Sequence, residues 1–380
     1  MYKLFFRPAL EPLKKEYKKI PYQKLIQKPH AAFEGKTIRN INIVTLDPFK
    51  NSIADTIKSK QNFLTNAANK IHVQSHNFTI RNLLLFHKNQ PFDSLLVKES
   101  ERLVRSMNYV NDVSFFVKSA TVNSDSVDIF IRELDKWSII PGGSVSGSRV
   151  SINIRENNFV GLGHEFQNGF TWNHEKGAYA FNTNYYIPNI RNTYINSTLH
   201  FNIDEFGNSA RSFAIDRPFF SPLAKWAAGA SFAQFRRDSV YVANTFPELQ
   251  KFKFNVQDYW AGNATQLFKG KTEHFRFTNF ISTARFLRIR YVEKPGETYD
   301  TAHFYANENF YLASIGISTR KYVRDKYIFN FGVTEDVPIG KIFNITGGYQ
   351  IKNNTGRYYL GGRVAFGNYY RWGYFISNFE

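Results

Sequence analysis

After Trp137 the chain alternates. Phe166, Asn168, Phe170 and Trp172 share one side of an extended run, while Glu165, Gln167, Gly169 and Thr171 share the other. Ile195, Ser197, Leu199, Phe201 and Ile203 oppose Tyr194, Asn196, Thr198, His200 and Asn202 in the same way. The two-residue period returns where Phe252, Phe254 and Val256 interleave with Lys253, Asn255 and Gln257, and again over Tyr327, Phe329, Phe331 and Val333. Side chains alternate across a strand but recur every 3.6 residues on a helix, so each run predicts a strand with one apolar and one polar face. Repeated without a helix between them, such strands need a sheet that closes or doubles to remove its edges.

Two all-β architectures satisfy that demand: a soluble sandwich or barrel, and a transmembrane barrel with its apolar face turned to lipid. Aromatic weight decides for the second, because the 380 residues include 38 Phe and 22 Tyr at a mean hydropathy of -0.40. The polar faces are rich in Asn, Gln, Thr, Ser and Gly, as a wet lumen requires, where a soluble barrel would carry charge. Phe170, Trp172, Leu199, Phe201, Phe252 and Phe254 are therefore expected to face lipid, and Gln167, His200, Asn255 and Gln257 the lumen. Arg276, Arg288 and Arg290 are expected to make that lumen basic.

No run exceeds short stretches such as Leu83 to Phe86, far below the roughly 18 apolar residues a spanning helix needs. The N-terminus, Met1 to Arg7, has no apolar core or cleavage site, so no secretion signal is expected there. Zero Cys excludes disulfides, thiol nucleophiles and thiolate metal sites. The formal charge of +18 suits an acidic partner. Lys14 to Lys19 are expected to serve the phosphates of lipopolysaccharide or phospholipid headgroups. Aromatic residues alternate away from the basic ones instead of sharing a face with them, which excludes a nucleic-acid partner.

Before Trp137 the periods are mixed. Residues 1–34 read as a basic, Pro-containing lead segment, residues 35–136 as an α+β domain, and residues 137–380 as the barrel. Ile41 and Ile43 mark a first strand, and Asn77 to Phe86 a first helix. Asp93 or Ser94 caps a second helix whose Leu96, Leu103, Val104 and Met107 fall on one face. Val113, Phe115 and Val117, then Val127, Ile129 and Ile131, mark two paired strands around the turn residues Asn123, Ser124 and Asp125.

A βααββ unit running straight into an antiparallel barrel resembles the BamA/TamA family of outer-membrane assembly and translocation proteins, whose periplasmic unit is the POTRA domain. The matching stretches are Gln90 to Leu96, Glu101 to Arg105, Tyr109 to Val117 and Asp125 to Ile131. In the barrel, Glu156 to Gly163 (ENNFVGLG) is similar to the family's turn after its second strand, and Tyr185 to Asn189 to the end of its fourth. The family's Val-Arg-Gly-Phe/Tyr loop motif is absent, and Tyr370-Arg371-Trp372-Gly373 does not replace it. The chain ends in Glu380 instead of a terminal aromatic, and residues 137–380 hold about 12 to 14 strands of about 10 residues each, against the family's sixteen. The expectation is a mainly β protein, one POTRA-like domain followed by a barrel lacking its last strands, as a fragment of a longer protein.

The resemblance implies a non-enzymatic insertion factor of the bacterial outer membrane, its N-terminal domain in the periplasm, with no catalytic residue, metal or cofactor. Unfolded outer-membrane proteins are the implied clients, beside outer-membrane lipid, lipopolysaccharide and accessory assembly subunits. Two strands are candidate pairing surfaces for a client. One is Val113, Ser114, Phe115, Phe116 and Val117. The other is the first barrel strand, Ser138, Ile139, Ile140, Pro141, Gly142, Gly143, Ser144, Val145 and Ser146, where Pro141 lacks a ladder donor and the two Gly residues weaken packing. Alternatives are a passive porin or two-partner-secretion type translocation pore, and a barrel-embedded hydrolase. His72 and His76 lack a nearby carboxylate in sequence, His164-Glu165 and His174-Glu175 do not continue as a zinc-protease motif, and Gly142 to Gly147 misses the spacing of a nucleophile elbow.

Overall fold

The computed structural model describes residues 30–49, 53, 63–243, 246–270, 272–330 and 333–380. Most of the lead segment, with Lys14 to Lys19, lies outside the described residues. A small sheet and a large one follow each other along the chain.

The small sheet has strand order β1-β3-β2, with β1 (Thr37–Leu46) parallel to β3 (Ser126–Asp135) and β3 antiparallel to β2 (Val110–Ser119). Among the described residues, three helices join β1 to β2: α1 (Phe63–Ile71), α2 (Asn77–Arg81) and α3 (Ser94–Arg105). Asp93 starts α3 by accepting the backbone N–H groups of Leu95 and Leu96 at 2.9 and 3.2 Å, which satisfies two donors a helix start leaves orphaned. Val97 and Val104 of α3 then meet Ile38, Phe115, Ile129 and Ile131 in one enclosed core. Each apolar alternation in β2 and β3 points there.

The expected helix over Asn77 to Phe86 stops at Arg81. Asn82 turns the chain, and Leu83, Leu84 and Phe86 reach the core from non-helical backbone, with Phe86 edge-on to Phe115 at 6.4 Å. Tertiary burial overrides local spacing here. Helix α1 was not anticipated, since Asn, Ala and Thr leave it little apolar period.

Thirteen antiparallel strands form the large sheet, each hydrogen-bonded to its neighbour in the chain. They are β4 (Ile139–Val145), β5 (Arg149–Phe159), β6 (His164–Asn173), β7 (Ala178–Ile187), β8 (Asn196–Ile203), β9 (Ser209–Arg217), β10 (Trp226–Ala243), β11 (Phe246–Gln266), β12 (Thr278–Glu293), β13 (Glu308–Lys326), β14 (Thr334–Lys352), β15 (Thr355–Tyr370) and β16 (Gly373–Phe379). Among the described residues no ladder joins β4 to β16, so the sheet is open. Both end strands have seven residues, whereas β13 and β14 have 19 each. A strand expected over Tyr327 to Val333 is not formed among its described residues. β13 ends at Lys326, and the Glu335 carboxylate accepts the N–H groups of Ile328 and Phe329 at 2.8 and 3.0 Å, holding the described part of that aromatic run as a turn.

Candidate functional site

Pairing register carries each face of the large sheet across its strands, because directly opposed residues of neighbouring strands lie on the same side. On one face Ile152 opposes Phe170, Phe170 opposes Phe181 and Phe181 opposes Ile203. Leu199, Phe213 and Phe232 form a second row. Tyr259, Phe286, Tyr311, Tyr349 and Tyr358 form a third, across five strands. These side chains are open to the surroundings: Phe170 is 48% exposed, Leu199 52% and Ile345 60%. Along β14, Phe343, Ile345, Tyr349 and Ile351 are exposed while Asn344, Thr346 and Gln350 are half-buried. An apolar face this extensive far exceeds the patch a soluble monomer leaves uncovered.

The opposite face is polar and hydrogen-bonded to itself. Gln167, Asn184, His200 and Ser212 form one row, and Asn153, Gly169, Asn182 and Asn202 another. Asn344 Nδ2 donates to Ser314 Oγ at 2.6 Å, and Arg285 Nε to Asp258 at 2.8 Å.

Register also corrects six expected positions. Phe254 opposes Phe235, Phe235 opposes Ala210 and Ala210 opposes Asn202, so Phe254, with Phe252 two residues away, lies on the inner face. Phe252 is buried against Tyr305 and Tyr299, with ring centroids 4.8 and 5.9 Å away, and Phe254 stacks on Phe235 at 4.9 Å. Asn255 and Gln257 instead share the outer face with Phe201 and Leu199, through Gln234–Arg211 and Phe232–Phe213 respectively. Parity is fixed by pairing between strands; a strand with aromatics on one face and amides on the other shows its period but not its orientation. Arg290 and Arg288 oppose Asn255 and Gln257, which puts both on the outer face and not in the lumen. Arg276 is not in a strand: it lies in the short helix α4 (Glu273–Arg276) and pairs with Asp93 at 2.7 Å.

At the open margin, Ser138 and Trp137 anchor β4. The Ser138 carbonyl accepts the Asn157 N–H at 3.0 Å, and Trp137 Nε1 donates to the Ile139 carbonyl. Further along, Ile140, Pro141, Gly142, Gly143, Ser144 and Val145 pair with β5 alone among the described residues, and Ser146 turns the chain into Arg149. Gly142 accommodates the Asn153 carboxamide, since a Cβ there would fall 2.5 Å from Asn153 Oδ1. In the small sheet, Val113 and Phe115 are core residues, and Ser114, Phe115 and Phe116 hold further contacts.

One end of the large sheet docks on the small unit. The turn inside Glu156 to Gly163 places the Gly161 carbonyl on the His76 N–H at 3.0 Å and on Thr79 Oγ1 at 3.1 Å, while Asn158 Nδ2 reaches Ser75 Oγ at 3.0 Å. Gly161, at φ +72, could carry no side chain, because a Cβ would meet the Gln74 carbonyl at 2.4 Å. Asn189 Nδ2 donates to the Asn82 carbonyl at 2.6 Å, and Tyr194 Oη to the Leu83 carbonyl at 2.8 Å. Helix α3 supplies the charge contacts: Lys98 to Glu273 at 2.8 Å, Arg105 to Asp336 at 2.8 Å and Glu101 to Arg324 at 2.6 Å. Both barrel motifs in the sequence are thus docking turns.

Buried ionisable groups lie just behind this junction. His72 Nε2 and Ser75 Oγ both bond to Asp135, so the carboxylate, not the imidazole, faces the hydroxyl; this is the wrong order for activating a nucleophile. His76 stacks on Phe78 at 5.4 Å instead of joining His72. His164 Nδ1 bonds Tyr185 Oη at 2.8 Å. Glu133 is enclosed with both carboxyl oxygens unpartnered among the described residues, and burial, then the charge of Asp135, pushes its pKa well above the usual carboxylate range.

No family model matches the chain, and no curated protein matches it. Its structure is similar to that of BamA from Haemophilus ducreyi lacking POTRA domains 1-3, at 10% identity and a TM-score of 0.34, over 90% of this chain and 80% of that one. It is likewise similar to CdiB from Acinetobacter baumannii, at 10% identity and a TM-score of 0.34, over 96% and 88%. Likeness at that level carries no functional weight by itself.

Proposed function

We propose that the protein is an outer-membrane insertion factor of the BamA/TamA type, with its small unit a POTRA domain in the periplasm and its large sheet a wall in lipid. The observation that carries this reading is an apolar face turned outward across thirteen antiparallel strands, opposite a polar face that is hydrogen-bonded to itself. A strand-rich client entering lipid is opposed by unpaired backbone groups, each costing several kcal/mol in hydrocarbon. A margin that lends it hydrogen bonds lowers that barrier. β4 suits temporary pairing: it is short, Pro141 removes one donor, and Gly142 and Gly143 add no side-chain packing to either face. Clients in this reading are unfolded outer-membrane proteins delivered along the docked periplasmic unit, with accessory subunits on its surface and lipid or lipopolysaccharide around the wall.

The polar inner face favours a second reading, a passive translocation pore. Linking Ser144→Cys on β4 to Ser377→Cys on β16 with a bifunctional thiol reagent separates the two, since the chain has no native Cys. The insertion reading expects the link to stop client assembly in reconstituted membranes while small-solute conductance persists. Assembly at the unlinked rate would transfer the argument to the pore.

A further inference from the structure

The outer face is not uniformly apolar. Between β6 and β11 it carries an open groove of about 820 Å³, walled by Phe166, Tyr185, Leu199, Phe213 and Phe232 and crossed by a polar ladder. Arg211 Nε donates to Gln234 Oε1 at 2.9 Å, and Gln234 Nε2 donates to Asn255 Oδ1 at 2.9 Å. Arg290 continues the row opposite Asn255, and Arg288 lies beside it opposite Gln257. Among the described residues Arg211, Arg288 and Arg290 form no ion pair, although Arg290 Nη1 donates to the Ile289 and Glu308 carbonyls at 2.8 Å and its Nη2 to Asn309 Oδ1 at 2.6 Å. Nearby carboxylates are engaged elsewhere or lie at the rim: Asp238 is 3.9 Å from Arg236, and Glu293 opposes Lys253.

Position along the wall gives the ladder its meaning. On β12 the outer face runs Thr278, Phe280, Ser282, Ala284, Phe286, Arg288. Those ten steps span about 34 Å along the strand, or about 26 Å of membrane depth at a tilt of 35–45°. Thr278 is at the docking end, beside Arg320 and α4, so Arg288 lies one apolar band away, directly beyond the row Tyr259, Phe286, Tyr311. Interfacial aromatics mark the headgroup boundary. Arg288 and Arg290, which would be costly in hydrocarbon, therefore fall at headgroup level, in the leaflet away from the small unit. Arg211 and Arg290 are three strands apart, about 14 Å, with amides between them.

We propose that this groove binds a phosphorylated glycolipid, its acyl chain on Phe213 and Phe232, its phosphates on Arg211 and on Arg288 with Arg290, and its hydroxyls on Gln234, Asn255 and Gln257. Charge complementarity selects the headgroup, since cations stand at both ends and hydrogen-bonding amides in the middle. The proposal rests on the outward reading of this face.

The test uses the full chain in phosphatidylcholine nanodiscs doped with diphosphoryl lipid A, monophosphoryl lipid A or neither, with co-purifying lipid measured by mass spectrometry. Enrichment in the order diphosphoryl, monophosphoryl, phosphatidylcholine is expected. Arg211→Gln should lower it about tenfold, as loss of a charge-assisted hydrogen bond does. Arg288→Gln with Arg290→Gln should remove the preference for the second phosphate, and Lys341→Gln, near the docking end, should change nothing. Equal retention of all three lipids, indifference to Arg211→Gln, or displacement by inorganic phosphate alone would overturn the site while leaving the wall intact. Failure of the chain to enter nanodiscs at all would defeat the wall and the site together.

Discussion

Phe115 and Ile345 are the same kind of residue with opposite destinations: Phe115 is 0% exposed in the small sheet, and Ile345 is 60% exposed in the large one. Both belong to strands with alternating faces. The small unit buries its apolar face under helices, as a chain in water must. The large sheet turns its apolar rows outward and its amides inward, which is favourable only where the surroundings are themselves apolar. On the proposed reading, the two regions meet different solvents.

Removing apolar bulk should expose that difference most strongly. Phe115→Ala is expected to cost the small unit about 3–5 kcal/mol, the range for deleting a core Phe. The loss should appear as a fall in its denaturant midpoint in buffer, with the wall unaffected. A cost below that of an ordinary surface substitution would break the comparison on the soluble side.

At the junction, Arg105 is buried between Glu101, Asp112 and Asp336. Arg105→Ala leaves enclosed carboxylates without that cation and should cost about 3 kcal/mol, read as easier proteolytic release of the small unit from the sheet. In the wall, Ile345→Arg should cost about 2–4 kcal/mol in urea unfolding from bilayers, whereas Thr346→Arg, one residue along and facing inward, should cost much less. Equal costs at the two positions would contradict the assigned parity.

A smaller effect concerns pH. Glu133 has its pKa raised in the fold by burial, so the native state holds that proton more tightly than the unfolded chain. Its contribution is fully present below the unfolded carboxylate pKa and is lost as pH rises through the raised value. Glu133→Gln keeps the neutral form at every pH. It should stabilise the small unit most at neutral pH and flatten the pH profile of its melting temperature, and an unchanged profile would refute the assignment.

The two regions also differed in how much their sequences disclosed. Pattern was readable in both: Asp93 as a cap, the apolar alternation of β2 and β3, and the run of two-faced strands after Trp137 are local signals. Orientation was not. Phe254 and Phe201 both sit in aromatic alternations, yet pairing through Phe235 and Ala210 sends Phe254 inward, and no residue of β11 alone records that. Arg288 and Arg290 were misplaced for the same reason. The junction was legible only as a motif, because the roles of Asn158 and Gly161 depend on His76, Thr79 and Ser75, some 80 residues earlier. Tyr327 and Phe329 alternate as a strand does, but the Glu335 carboxylate accepts the N–H groups of Ile328 and Phe329 and holds them as a turn.

Accessibility along β14 tests the central claim most directly. Spin labels placed singly at positions 342 to 346 and 349, with the protein in bilayers, report collision with oxygen dissolved in lipid and with a water-soluble nickel reagent. Oxygen collisions are expected to be high at 343, 345 and 349 and low at 342, 344 and 346, with nickel showing the reverse. Lipid access at the even positions, or no alternation, would contradict a wall that turns its apolar face outward.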